Sequence, residues 1–237
     1  MTIEEICEKY DIENYTINSD NSIDVDGDVR LPSKGIDKLP ITFNKVTGDF
    51  VLTSNGLTTL EGCPRWVGGT FTCDTNNLTN LKFSPEVVMG NFHCNRNYIT
   101  SLIGGPKSVG INYYCDNNRL TNLKGSPEEI KDNFNCGDNN ITSLLGCPKK
   151  IEGTFDCYNN KLYAFDFIPD WIGKHIFLDG NPIESIIYKA DIDFLRAFNS
   201  YRVLNDKTIN LKRLRYVMEL FDYTIDIKEI EKYYEID

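Results

Sequence analysis

The apolar positions of this chain recur with a period of 21 residues, without insertion, for seven copies. Each copy opens on Phe50, Phe71, Phe92, Tyr113, Phe134, Phe155 or Ile176, and two residues later places Leu52, Cys73, Cys94, Cys115, Cys136, Cys157 or Leu178. This alternation at period two predicts a short strand that points both residues inward. Five residues after the opening stand Asn55, Asn76, Asn97, Asn118, Asn139, Asn160 and Asn181. Two further apolar columns follow, Leu57 to Ile183 and Leu60 to Ile186, before G-x-P or S-P turns the chain. Val67, Val88, Val109, Ile130, Ile151 and Ile172 then bring it back to the next strand. A fixed period in the twenties predicts a solenoid of parallel stacked strands. The asparagines predict a ladder of amides serving backbone groups of the turns, since buried backbone donors and acceptors need partners. Val29, Leu31, Ile36 and Leu39 make a degenerate eighth copy, with Lys34 in the asparagine's place.

The pattern changes at both ends. Thr2 and Glu5 form a capping-box pair ahead of Ile3, Ile6 and Tyr10, which predicts a short helix. YTIN (15–18) and IDV (23–25) flank the turn residues SDNS, a hairpin signal. Beyond Ile187 the spacing is helical, with Ile192, Leu195 and Phe198, then Leu211, Leu214, Val217, Met218 and Phe221, then Ile227, Ile230, Tyr233 and Tyr234. Three helices are expected, with loops near Asn205 and Tyr223. Solenoid ends expose apolar cross-sections and strand edges, so caps are expected. The predicted organisation is an N-terminal helix and hairpin cap over 1–28, about eight 21-residue repeats over 29–187, and a C-terminal helical cap over 188–237. The tail offers self-association as a second use, through Tyr201, Tyr216, Tyr233 and Tyr234 with the basic run Lys212, Arg213 and Arg215.

The strand, asparagine and twin leucines resemble the leucine-rich repeat, L-x-L-x-x-N-x-L-x-x-L. The short unit with Pro after the leucines is similar to the bacterial subtype with an L-P motif. The wording F-x-C-x-x-N-x-L-T-S-L-x-G-x-P resembles repeat proteins encoded by large tailed bacteriophages. The resemblance covers residues 29 to 187 and implies an α/β repeat solenoid, leucine-rich-repeat-like, with one parallel strand face. L-P effectors that act as ubiquitin ligases continue into a large domain with a nucleophilic Cys. Here about fifty residues follow the repeats, with no Cys after Cys157, which argues against ligase chemistry.

Composition narrows the partners. The net charge is −10, and residues 1–49 alone hold eleven acids against five bases. Without a basic stripe the chain is poorly suited to nucleic acid phosphates. The opening MTIEEICEKY carries acids where a secretory signal carries a positive region, and no stretch approaches a membrane span. A soluble, cytoplasmic protein is expected, in the host cytoplasm if phage-encoded, with no membrane partner. Five of the eight cysteines share one column and none forms a CxxC pair. Stacked about 4.8 Å apart, they neither pair off as disulfides nor converge on a metal as zinc requires. Buried free thiols in a reducing compartment are expected, and neither metal nor cofactor.

Candidate chemistry is sparse. In DVDGDV (24–29) three carboxylates alternate, but an EF-hand needs Gly at position six and Glu at twelve, where Val29 and Gly35 stand. An acidic hairpin turn is expected instead. The two histidines, His93 and His175, fall at different outward positions four copies apart, about 20 Å by strand spacing, and neither has a repeat-encoded nucleophile next to it on the outward face. An enzyme is not expected. Recognition then falls to the outward side chains of the strand face, a strip about 35 Å long that includes Thr72, Asp74, His93, Asn95, Tyr114, Asp116, Asn135, Asp156, Tyr158 and Phe177. The column Asp49, Thr70, Asn91, Asn112, Asn133, Thr154 and His175 also reads as outward and available. Aromatic anchors are typical of binding hot spots. The expectation is a non-catalytic module that grips a host or cognate protein, in the phage reading an inhibitor of a bacterial process or defence system. The alternative is a protein that binds or sequesters a small ligand, a nucleotide or sugar, for which Arg96 and Arg119 at the loop edge supply positive charge.

Overall fold

A computed structural model describes residues 1–186, 191–205 and 207–237. The chain winds as a parallel-strand β-solenoid of about seven turns, with few helices and a C-terminal helical region. The opening pairs of each repeat form a front sheet of eight strands, from Val29–Arg30 through Phe50–Val51 and Phe71–Thr72 to Ile176–Phe177. Every pairing is parallel and joins residues one period apart, as in Phe71 with Phe92 and Tyr114 with Asn135. The degenerate first copy is a true turn, since Val29 pairs with Phe50.

Each turn also carries a second strand. The column read as merely closing the loop forms a back sheet, with Phe43–Val46, Trp66–Val67, Val87–Val88 and Ser108–Val109 stacked in parallel. Glu129–Ile130, Lys150–Ile151 and Trp171–Ile172 continue that side as a separate three-stranded sheet, so the back ladder is interrupted between Val109 and Ile130. Among the described residues the repeats contain no helix apart from a single 3-10 turn at Pro182–Ser185, and the α-helices lie at the two ends. The α part of the expected α/β solenoid is therefore confined to the termini.

Inward side chains fill the space between the sheets. Phe50, Phe71, Phe92, Tyr113, Phe134 and Phe155 form a continuous column of rings with centroids 4.8–6.0 Å apart. Such contacts add to the area they bury. Cys73, Cys94, Cys115, Cys136 and Cys157 are fully buried free thiols. Burial pushes Cys94, Cys115 and Cys136 well above the usual thiol range, which disfavours the reactive thiolate. Tyr113 is the one phenol in the ring column, and Gly105 is the one glycine in the column that elsewhere holds Cys63, Ser84, Ser126, Cys147 and Ile168. A β carbon at Gly105 would lie 3.2 Å from the Tyr113 hydroxyl, so the missing side chain makes room for that oxygen. The hydroxyl is buried and has no hydrogen-bond partner among the described residues.

The asparagine ladder is present from Asn55 to Asn181. In Asn118 the amide nitrogen donates to the carbonyls of Cys94 and Cys115, each at 3.1 Å, while its oxygen accepts from the Ile99 N–H at 2.9 Å. Each asparagine thus ties its own strand end to the preceding turn. The residue just before it is left-handed, with φ of 57° at Ser54, 55° at Thr75, 53° at Arg96, 54° at Asn117, 49° at Asp138 and 48° at Asn159. That conformation aims the amide back across the stack.

At the N-terminus the Thr2 and Glu5 capping box is closed on the helix Ile3–Lys9. The hairpin Tyr15–Ile17 and Ile23–Val25 is antiparallel, and its second strand extends the back sheet by pairing with Phe43–Val46. DVDGDV forms the corner from back sheet to front sheet and not the expected hairpin turn. Its acids are already engaged. Asp24 accepts from the Asn44 amide, Asp26 from the Thr47 hydroxyl, and Asp28 from the Asp49 N–H and the Arg30 guanidinium, all at 2.8–2.9 Å.

The tail holds helices Ile192–Ser200 and Leu211–Leu220, with a single helical turn at Ile227–Ile230. The third expected helix stops there, before Tyr233 and Tyr234. The chain instead enters the strand Glu235–Ile236, which joins Leu204–Asn205 and Thr208–Ile209 in a small sheet that periodicity did not reveal. This region packs on the last repeats. Phe198 meets Phe165 edge-on, the Asn199 amide donates to the Phe165 carbonyl at 2.9 Å, and the Tyr234 hydroxyl donates to the Tyr163 carbonyl at 2.8 Å. The expected boundary at 187 and 188 lies outside the described residues. Among those described, no helix is long and apolar enough to cross a membrane.

Candidate functional site

The front sheet projects one side chain per turn between the two inward ones, so the strip is set by strand alternation. The side chains of Thr72, Asp74, His93, Asn95, Tyr114, Asp116, Asn135, Asp156 and Tyr158 are half-buried by their neighbours along the stack, and Phe177 on the edge strand is exposed. All ten therefore share one surface. They are not equally free, however.

The centre is an aromatic and carboxylate cluster. The His93 and Tyr114 rings stack with centroids 4.7 Å apart and planes 21° from parallel. Burial holds His93 below its usual range, against the opposing pull of Asp74 and Asp116. Burial also raises Tyr114, with Asp132 and Asp116 adding to the shift. Asp74 accepts from the Thr53 hydroxyl at 2.7 Å and the Thr75 hydroxyl at 3.1 Å, and Asp116 from the Asn117 amide at 2.9 Å. The Asn95 side-chain oxygen, between those two acids in its column, is buried without a hydrogen-bond partner among the described residues.

Tyr158 does not project from the face. Its ring lies over Gly137 of the preceding turn, where a β carbon would come within 2.2 Å of a ring carbon. A hydrogen bond to Asp138, with burial, pushes its hydroxyl up to about 12. Only glycine lets the ring lie this way, so Gly137 shapes the candidate face although it is not among the expected site residues. Its place in a column otherwise holding Thr53, Asp74, Asn95, Asp116, Tyr158 and Asp179 was the available signal. The Asn135 oxygen accepts from the Gly137 N–H at 2.9 Å and so belongs to the same local structure. Asp156 is raised above the usual carboxylate range by burial first, then by Asp116, Asp179 and Asp138. Phe177 sits beside His175, with ring centroids 6.0 Å apart.

One outward column turns out to be structural. The Asn112 amide donates to the Asn91 oxygen at 2.8 Å, and the Asn133 amide to the Asn112 oxygen at 2.9 Å, while backbone N–H groups of the next turn use the same oxygens. This is a second asparagine ladder, so Asn91, Asn112 and Asn133 are occupied along the stack. In the tail, Tyr234 is buried, which removes it from the expected self-association surface, whereas Tyr201 and Tyr216 are exposed and meet edge-on at 5.1 Å.

Chemically, the strip can accept hydrogen bonds, attract cations and stack on planar groups. Among the described residues no three His, Cys, Asp or Glu side chains are placed to hold a metal ion. Compared with protein-family models, curated proteins and solved structures, the chain matches none.

Proposed function

We propose that the protein is a non-catalytic binding module of leucine-rich-repeat-like kind, whose terminal elements act as caps and whose front face grips another protein of the host or cognate system. The observation that carries this reading is the prearranged aromatic and acidic strip. His93 is stacked on Tyr114, and Tyr158 is laid on Gly137 and tied to Asp138. Side chains already fixed by packing lose little freedom when a partner arrives, which favours affinity per contact. Asp74, Asp116, Asp138, Asp156 and Asp179 give the face a negative sign, so the partner surface is basic. In the phage reading, its binding would block a bacterial process.

The test places a photo-crosslinking side chain at Thr72 or Asn135 on the front, and at Trp66 on the back, and exposes each variant to lysate. The front positions should capture one protein, and Tyr114→Ala with Tyr158→Ala should remove that capture with little change in melting temperature. Capture from Trp66 alone, or capture indifferent to the two tyrosines, would sink the assignment.

A further inference from the structure

A second surface lies along the loop edge, where each turn leaves the front sheet. A groove of about 500 Å³ opens there beside Arg96 and Tyr98, with Thr75, Asn77 and Asn117 on its walls. Two of its residues depart from the repeat. Arg96 takes the left-handed position, with φ of 53°, that other turns give to Ser33, Ser54, Thr75, Asn117, Asp138, Asn159 and Gly180. Short polar residues and glycine tolerate this conformation best, so a long arginine there is held against a local conformational cost, and such outliers concentrate at functional sites. Tyr98 follows two residues on, exposed, where the neighbouring turn has Asn77. The Arg119 guanidinium lies over its ring, 4.5 Å from the centroid, and braces it from the following turn.

Several lysines of the back face are paired: Lys107 with Glu86, Lys149 with Glu128, Lys150 with Glu152 and Lys174 with Asp132. Arg96 and Arg119 have no carboxylate partner among the described residues, in a chain whose net charge is −10. The Asn77 side-chain amide is likewise without a hydrogen-bond partner among those residues. A guanidinium with five donors is suited to a phosphate or carboxylate, and the unbraced face of Tyr98 is suited to a planar ring.

We propose that the Arg96 and Tyr98 groove binds a small anion carrying a planar ring, of the nucleoside monophosphate class, with the phosphate on Arg96 and the ring against Tyr98. This site is separate from the front face and does not depend on the protein partner. Titration of the full chain with adenosine monophosphate, adenosine and inorganic phosphate, followed by calorimetry and amide NMR, tests it. Adenosine monophosphate should bind more tightly than either fragment, weaken with added salt, and shift amides of residues 75–98 and 117–119. Arg96→Ser and Tyr98→Asn install residues that the chain itself uses at Ser54 and Asn77, so the fold is retained. Each should weaken binding by about tenfold or more, as expected for loss of one charged or stacking contact. Tyr114→Ala should leave it unchanged. Absence of binding by all three probes, equal affinity for phosphate and adenosine monophosphate, or full affinity in Arg96→Ser would overturn the proposal.

Discussion

The front and back sheets are built from the same seven turns, yet one runs unbroken through eight strands and the other stops between Val109 and Ile130. The difference lies in what supports each backbone. Behind the front sheet stand the ring column and the thiol column, and beside it run two asparagine ladders whose amides bridge one turn to the next. From Trp66–Val67 onward each back strand has a single inward residue, and its outer surface carries ion pairs such as Lys150 with Glu152 and Lys131 with Glu129. Exposed ion pairs hold side chains loosely and constrain the backbone little. Regularity thus follows from side chains that have no alternative partner, and not from strand pairing alone.

The sharpest way to break this comparison is to remove one support from each side. Asn118→Ala leaves the Ile99 N–H without its partner and the Cys94 and Cys115 carbonyls with one amide donor each, from Asn97 and Asn139, and should cost about 3 kcal/mol in urea unfolding. Lys150→Ala should cost less than about 1 kcal/mol. Equal costs would show that the ladder is not what orders the front. Tyr113→Phe is the next largest test. It deletes the hydroxyl that has no partner, so the variant should be more stable by about 1 kcal/mol, and a clear loss of stability would mean that the oxygen is satisfied in solution. The smallest effect is the pH response of His93. Its folded pKa is depressed by burial, so between the folded and unfolded values the unfolded chain binds the proton. The stability it contributes is present above the unfolded value near 6.5 and is lost as pH falls through the folded one. His93→Asn should therefore lose less stability than the unaltered chain between pH 7.5 and 5.5, and identical slopes would contradict the burial reading.

How much of this was legible in the sequence follows the same division. The front strands, ring column, thiol column and first ladder each repeat a demanding requirement over at least five consecutive turns, so the residues declare it. The back strands declare less, because Val67 and its equivalents recur as one inward residue with no second buried apolar side chain two positions away to mark an alternation. The tail sheet escaped for the same reason. The second ladder was misread as free surface because a column of asparagines spells both solubility and stacking, and only the bonds from Asn112 to Asn91 and from Asn133 to Asn112 decide between them. Of the candidate site, the shared face was foreseen. The posture of Tyr158 was not, since it depends on a glycine one turn earlier and on the carboxylate of Asp138.

The absence of any insertion across the repeats has an evolutionary corollary. Because each turn offers its successor the same hydrogen-bonding template, a whole turn can be duplicated or deleted by recombination within the coding sequence without disturbing its neighbours. Each such event would lengthen or shorten the molecule by one strand spacing, about 4.8 Å, and slide His93 and Tyr114 relative to Tyr158 and Phe177 as beads move on a string.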